Sequence, residues 1–535
     1  DCSSGYAGVD LVYDAYSRVS LETYINQSGV PHMLGDGYAS VGYEYDARGN
    51  VTLKTYYDDL GQSTMTIGGY AKIATQYDVF ARPIRITYLD TMDAPVVMAS
   101  GYAGIGYEYD LYSRVIREVY YGPEGNVSLM AMCFGEKMFA YDARGNMTRE
   151  AYGDGWGNLV MTPGGYAAIE REYDDRNLLT ALRYLGTDNQ LQEIDKGYAA
   201  VEYRYDERGR KVYERYLDDR AQMVCIDRGY AAVSFAYDEA NNVALEAYYN
   251  EYDEPSMMPA GFAAIAYQYD AARNVTRVSY LDRTHRPVMT KEGFAQLEFA
   301  YDMKNRRILE RYLDENGMPI NGSAGYAWIE TAWSDDGLTK WVKVFNRLGE
   351  PCRQTDGAWI IRTTMAGDGQ MIEQAYLDQN GDPMRGGEDY SLVRFGYDSR
   401  RRQNLVAYYD TQGNPIRTSL GYAAMHMAYD DAGRLLRRSF TGTDGQPSRI
   451  KAGYAAIEYA YDTFGRTTQT RYYDAGGSLM ITSQGYAILD CTYDANGRLI
   501  REAYLNPWYG LMNGHGGYAY RCFEYDANGN QTRIS

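Results

Sequence analysis

The residues able to do chemistry are few, and their spacing decides how each is read. Asp follows Tyr at fixed intervals, as in Tyr45-Asp46, Tyr205-Asp206 and Tyr461-Asp462, with Gly three residues on at Gly49, Gly209 and Gly465. If these segments stack, the carboxylates form a row. Such a row of hard oxygen ligands suits Ca2+, whereas the same side chains cap turns by accepting backbone amide hydrogen bonds. The glycine-rich nonapeptide of calcium-binding β-rolls is absent, so turn capping is the stronger reading and no cofactor is expected.

The four histidines, His32, His285, His426 and His515, sit in four unrelated surroundings, none with a nucleophile or ligand spacing. Cys2, Cys133, Cys225, Cys352, Cys491 and Cys522 are as scattered and include no CxxC pair, so neither a zinc site nor a regular disulfide ladder is expected. Cys491 and Cys522 are the one pair whose spacing could let them meet. No phosphate loop, GxSxG, HExxH or dinucleotide fingerprint occurs, and an enzyme is not expected. Four of the six tryptophans, Trp328, Trp333, Trp341 and Trp359, fall close together. They read either as a binding patch for a ligand or partner or as core packing in altered repeats. Asn50, Asn146, Asn274 and Asn530 begin Asn-x-Ser/Thr sequons after one recurring turn. Glycosylation in a secreted chain would use them, and simple duplication of the repeat accounts for them equally well.

Composition narrows the classes further. The 535 residues carry a formal charge of −19, which disfavours nucleic acid and anionic membrane surfaces alike. No apolar run of about 18 residues is present to span a bilayer. Tyr (58) far outnumbers Phe (12) and Trp (6), and Gly reaches 56, a balance that favours pleated strands joined by tight turns. The chain opens at Asp1 without a signal peptide or initiator Met, and both ends read as cuts in something longer.

The elements that position these residues follow one period. Gly-Tyr-Ala begins at Gly5, Gly37, Gly69 and Gly101 and continues in phase, with Phe for Tyr at Phe262 and Phe294, to Gly517. That span of 512 residues is sixteen steps of 32 without insertion, so residues 1–535 form a single array of about sixteen and a half repeats. Three members are altered in place: Cys133-Phe134-Gly135, Gly357-Ala358-Trp359 and Asp389-Tyr390-Ser391. Tyr-Asp fails only at Trp333-Ser334 and Met365-Ala366, which makes 325–400 a degenerate, tryptophan-bearing stretch.

Within a repeat, Ala39, Val41, Tyr43 and Tyr45 alternate with Ser40, Gly42 and Glu44, the pattern of a strand with one buried face. This places the Tyr-x-Tyr pair in the core. Asp46 to Asn50 and Asp378 to Pro383 read as two turns, and Gly-Tyr-Ala as a kink. Asn177, Asn241 and Asn305 replace the turn glycine, as suits the residue that best tolerates positive φ. One such unit cannot bury its aromatic side alone, so the units must stack. Two ladder steps of about 4.8 Å per repeat would give an array on the order of 160 Å long.

At Gly-Tyr-Ala-x-x-x-x-Tyr-x-Tyr-Asp-x-x-Gly, seen from Gly37 to Gly49, Gly197 to Gly209 and Gly453 to Gly465, the chain resembles the YD repeats of RHS-type bacterial surface proteins. The resemblance implies an all-β array of hairpins joined edge to edge into a spiralling antiparallel sheet or β-solenoid. The period here is longer than the usual one in that family, and the second half-repeat, as in Tyr376 to Pro383, is foreign to it. That half faintly resembles choline- or glucan-binding repeats, whose paired Trp cages this chain is too poor in Trp to build. The expected role is a structural or adhesive, filament-forming extracellular protein at a cell surface, with self-association or surface glycans as partners. The alternative is a carbohydrate-binding array that stacks sugars on Tyr and Trp.

Overall fold

The computed structural model describes residues 6–129, 133–387, 389–526 and 531–535, so Cys2 and Asn530 lie outside the described residues. Every regular element among those described is a strand; none is a helix. The all-β architecture expected from the repeat is present, and among the described residues the strand pairs are antiparallel and join neighbours in sequence, except that Thr339–Phe345 also pairs with Ile360–Met365 past the two-residue strand Pro351–Cys352.

One repeat shows how it is built. Ser40–Tyr45 pairs with Val51–Tyr57 from Ser40↔Tyr57 to Glu44↔Leu53, and the register then shifts to Tyr45↔Val51. The shift is a bulge caused by the turn: Asp46 N–H donates to Asn50 O (3.0 Å), Gly49 N–H to Asp46 O (3.1 Å), and Gly49 takes φ 90°. The second turn repeats the pattern, with Asp58 N–H to Gln62 O and Gly61 N–H to Asp58 O. The expected kink at Gly-Tyr-Ala is a third turn of the same kind. Thr66 N–H donates to Tyr70 O (2.8 Å), Gly69 N–H donates to Thr66 O (2.9 Å), and Thr66 Oγ1 caps Tyr70 O (2.9 Å).

The next hairpin then adds through Leu53↔Ala74, Lys54↔Ile73 and Thr55↔Lys72. Ala71 closes the joint by accepting from Tyr56 N–H and donating to Leu89 O. It has no exposed surface, which is why Ala recurs at this place.

The chain divides into two compact units, Asp1–Ala266 with Leu281–Arg286, and Tyr267–Tyr280 with Pro287–Ser535. In the first, the Tyr of Gly-Tyr-Ala and the Tyr at the end of the following strand alternate in one continuous row. Rings from Tyr6 through Tyr38, Tyr56 and onward to Phe262 meet at centroid distances of 4.9–6.1 Å, mostly edge to face or tilted. Such pairs contribute about 0.5–1.5 kcal/mol each beyond burial. In the second unit the row runs from Tyr280 through Phe294 and Tyr312 to Tyr326, stops, and resumes from Tyr376 to Tyr518. Val344 and Ala358 occupy the two intervening ring positions.

The opposite sheet face packs small alkyl groups such as Ala151, Ala168 and Leu185, with Ala247, Ala264 and Leu281 further along. Both faces are therefore covered at the start of this first strand: Ser40, Val41 and Gly42 are all buried. This alters the expected one-sided core. Tyr43 and Tyr45 are only half-buried, and the aromatic core is made instead by the Tyr38 and Tyr56 positions.

Candidate functional site

The recurrent Asp is used within the turn. Asp46 Oδ1 accepts from the backbone N–H of Arg48 and Asn50 (both 2.9 Å), and Oδ2 accepts from Asn50 Nδ2 (2.8 Å). Asp206 does the same for Arg208 and Arg210 (both 2.9 Å). The Asn50 amide and the backbone bonds around it hold the Asp46 carboxyl below the usual carboxylate range. These oxygens, weighed above as calcium ligands, are thus engaged in Asx turns. Among the described residues no three His, Cys, Asp or Glu gather as a metal-binding group.

A residue that the sequence reading passed over joins this turn to its neighbour. Where Arg stands in place of Asn50, it bridges two repeats. Arg18 places Nε and Nη2 on Asp14 Oδ2 (2.7 Å each), its Nη1 donates to Asp46 O (3.3 Å), and its guanidinium lies 4.4 Å from the Tyr45 ring centroid. Arg114, Arg434, Arg466 and Arg498 do likewise against the following Asp and Tyr. The sequence signal was Arg four residues after Asp, an i,i+4 charge pair hidden in a variable turn.

The second Tyr of Tyr-x-Tyr faces the other way. Tyr45 donates its hydroxyl to Val19 O (2.6 Å), Tyr205 to Leu179 O (2.8 Å) and Tyr461 to Leu435 O (2.8 Å), each in the preceding repeat. Gly209 and Gly465 take φ 78° and 83°, and Asn177, Asn241 and Asn305 take 63°, 68° and 59° at the equivalent place. The substitution by Asn therefore has the conformational cause expected of it.

The four tryptophans are held by different partners, with Trp341 and Trp359 in one cluster. Trp328 stacks on Phe345 (5.4 Å, 16°) with Arg311 5.2 Å from its ring. Trp333 replaces the stitching Tyr: its Nε1 approaches Arg307 O (3.5 Å) and Arg306 lies 5.1 Å from its ring. Trp341 and Trp359 pack against Ile360, Ala375 and Leu377. Backbone changes accompany them. The bulge is missing at Trp333↔Lys340, and Thr339–Lys343 pairs with the following strand through five residues instead of three.

Asn50, Asn146 and Asn274 lie in the first turn with Nδ2 donated to Asp46, Asp142 and Asp270 (2.8, 2.9 and 3.0 Å). The nitrogen that a glycan would need is thus engaged by the turn carboxylate. Cys491 and Cys522 are free thiols on strands separated by Leu499–Leu505, with Cys491↔Glu502 and Arg501↔Cys522. One intervening strand keeps them too far apart to bond.

No protein-family model matches the chain, and no curated protein does. Among solved structures it is similar to a mutant Tc holotoxin pore of Photorhabdus luminescens, at 11% identity and a TM-score of 0.22, over 98% of this chain and 27% of that one. It is also similar to a TcdB2-TccC3-Cdc42 crystal structure (11%, TM-score 0.20, 98% and 35%). A TcdB2-TccC3 structure without its hypervariable C-terminal region gives 11%, TM-score 0.22, 98% and 30%. The chain spans about a third of the length of these proteins.

Proposed function

We propose that this chain is a non-enzymatic structural and adhesive repeat protein, a long-period variant of the YD-repeat type, acting extracellularly or at a bacterial cell surface. The observation that carries this reading is where the recurring polar groups go. Asp46 and its equivalents close turns, an Arg such as Arg18, where present, ties its turn to the next repeat, and Tyr45 and its equivalents tie their repeats to the one before. These recurring Asp, Arg and Tyr side chains are thus spent on closing turns and joining repeats. The turn tips favour association: Phe80, Leu111, Tyr112, Trp156 and Trp508 are 70% or more exposed, an unusual display of large apolar groups for a chain of charge −19. Sugar stacking on the Trp segment has less support, because Trp341 and Trp359 pack against the alkyl face.

Electron microscopy of the purified chain over a range of concentrations tests this reading. Rods or end-to-end and lateral fibres are expected, and association should weaken when Leu111 and Tyr112 are both replaced by Ser. Compact single globules at every concentration would overturn the proposal.

A further inference from the structure

The covering of the aromatic row differs from repeat to repeat, and one difference goes with a larger and differently charged cavity. Thr66, Ile194, Ile226 and Met258 hold the opening position of the third turn, and Ile226 and Met258 pack against the ring row. At Gly322 that side chain is missing. A Cβ placed there would make ordinary contact, 3.8 Å from Tyr326 O and 3.9 Å from the Tyr312 ring, so a side chain has room beside the ring and none fills it; the same atom at Gly386 would meet Tyr376 at 2.5 Å, where there is no such room. Tyr280, Phe294, Tyr312 and Tyr326 line the resulting cavity of about 440 Å3, together with Glu292, Glu310 and Leu297.

Its counterpart three repeats earlier is an internal control. That cavity, of about 330 Å3, is lined by Lys196, Tyr198, Tyr216, Ile226, Asp227 and Arg228. Glu292 stands where Lys196 stands, Gly322 where Ile226 stands, and Ala324 where Arg228 stands. The Gly322 cavity thus lacks both cations and the isoleucine side chain, and has a carboxylate in its lining instead. Glu310 accepts from the Tyr312 hydroxyl (2.9 Å) and is met by the half-exposed Arg307 (3.2 Å). Among the described residues no Lys or Arg lies within ion-pair distance of Glu292, and none lines the cavity.

Ring faces attract cations that give up water readily, and carboxylates add the compensating charge. A primary ammonium is compact and strongly hydrated, whereas a methylated ammonium presents a weakly hydrated, greasy surface to rings. We propose that the Gly322 cavity binds an organic cation of the quaternary or methylated ammonium class, seated against the ring row that runs from Tyr280 to Tyr326, with Glu292 supplying the balancing charge. This goes beyond the structural role proposed above and stands apart from it.

Calorimetric titration of the full chain with choline and tetramethylammonium tests the assignment, with 3,3-dimethyl-1-butanol as the uncharged isostere. Saturable binding at one site per chain is expected for both cations, with the isostere weaker by about tenfold or more. Gly322→Ile should weaken binding by narrowing the cavity toward that of its Ile226 counterpart, and Glu292→Lys should abolish it by restoring the Lys196 charge. Circular dichroism checks that each variant folds; if Gly322→Ile does not, Glu292→Lys decides alone. No binding of either cation, equal binding of the isostere, or unchanged binding in the folded variants would each overturn the proposal.

Discussion

Tyr422 shows what a single ring contributes. It is buried, and its ring meets Tyr408 at 6.0 Å and Phe440 at 4.9 Å. Truncation removes both contacts and leaves a void that a ladder fixed on either side cannot close. Tyr422→Ala is expected to lower the opening free energy of the flanking strands, Gln403–Tyr409 and Leu435–Thr441, by about 3–5 kcal/mol. Tyr422→Phe should cost less than about 1.5 kcal/mol, since the ring remains and only a hydroxyl is lost. Phe134, Phe262 and Phe294 already fill this place in other repeats. Hydrogen exchange read by mass spectrometry at those two strands measures both variants. Equal effects would mean that the hydroxyl, not the ring, holds the row.

At the scale of the element, the stitching Arg separates two jobs that Asn does not. Arg466 holds Asp462 Oδ2 through Nε (2.6 Å), donates through Nη1 to Asp494 O (3.2 Å), and lies 4.9 Å from the Tyr493 ring centroid. Asn in that place keeps the first bond, as Asn50 does with Asp46, and reaches the next repeat only where an Asn stands at the turn's glycine position, as Asn146 does to Asn177 Oδ1 (3.0 Å), a partner that Gly497 cannot supply. In Arg466→Asn, amide exchange in the turn 494–498 is expected to rise roughly two- to fivefold, the size of an exposed cation–π contact. Exchange in 462–466 should stay unchanged, while Arg466→Ala should loosen both turns. Uniform loosening by Arg466→Asn would show that the contact to the next repeat is incidental.

The hairpins themselves were legible, because alternation and an Asp-to-Gly turn are local signals: Ser40–Tyr45, Val51–Tyr57 and the positive φ of Gly49 follow from them. The third turn was not legible, since it opens on Thr66, Ile226 or Gly322 and only its closing glycine recurs. Nor was the aromatic row, whose members lie 14 or 18 residues apart and meet only through that turn. The cavity at Gly322 escaped for the same reason. A glycine between Asn321 and Ser323 looks like any loop glycine until the ring it uncovers is known.

Across the whole molecule, repetition turns small proton linkages into a pH window. Backbone donation from Arg210, followed by its guanidinium, holds the Asp206 carboxyl below the usual range, and the Asn50 amide does so for Asp46. A carboxyl depressed in the folded chain stabilises it at pH values above the unfolded pKa of about 3.9, and that contribution disappears as pH falls through the folded value. Burial acts oppositely on the aromatic side, pushing Tyr43, Tyr107 and Tyr184 up to about 12. A tyrosine raised above its unfolded value of about 10 stabilises the fold below that pH and loses its contribution as pH rises toward the folded value. Urea midpoints are therefore expected to be level from about pH 5 to about pH 9 and to fall on both sides. The alkaline limb should be the steeper at low salt, because each ionised tyrosine adds to a charge already at −19, whereas acid first relieves that repulsion. Added salt should flatten the difference between the limbs without moving their onsets. An acid limb that stays level to pH 3 would mean that the turn carboxylates contribute nothing to joining the repeats, and the stitching account would then rest on the aromatic row alone.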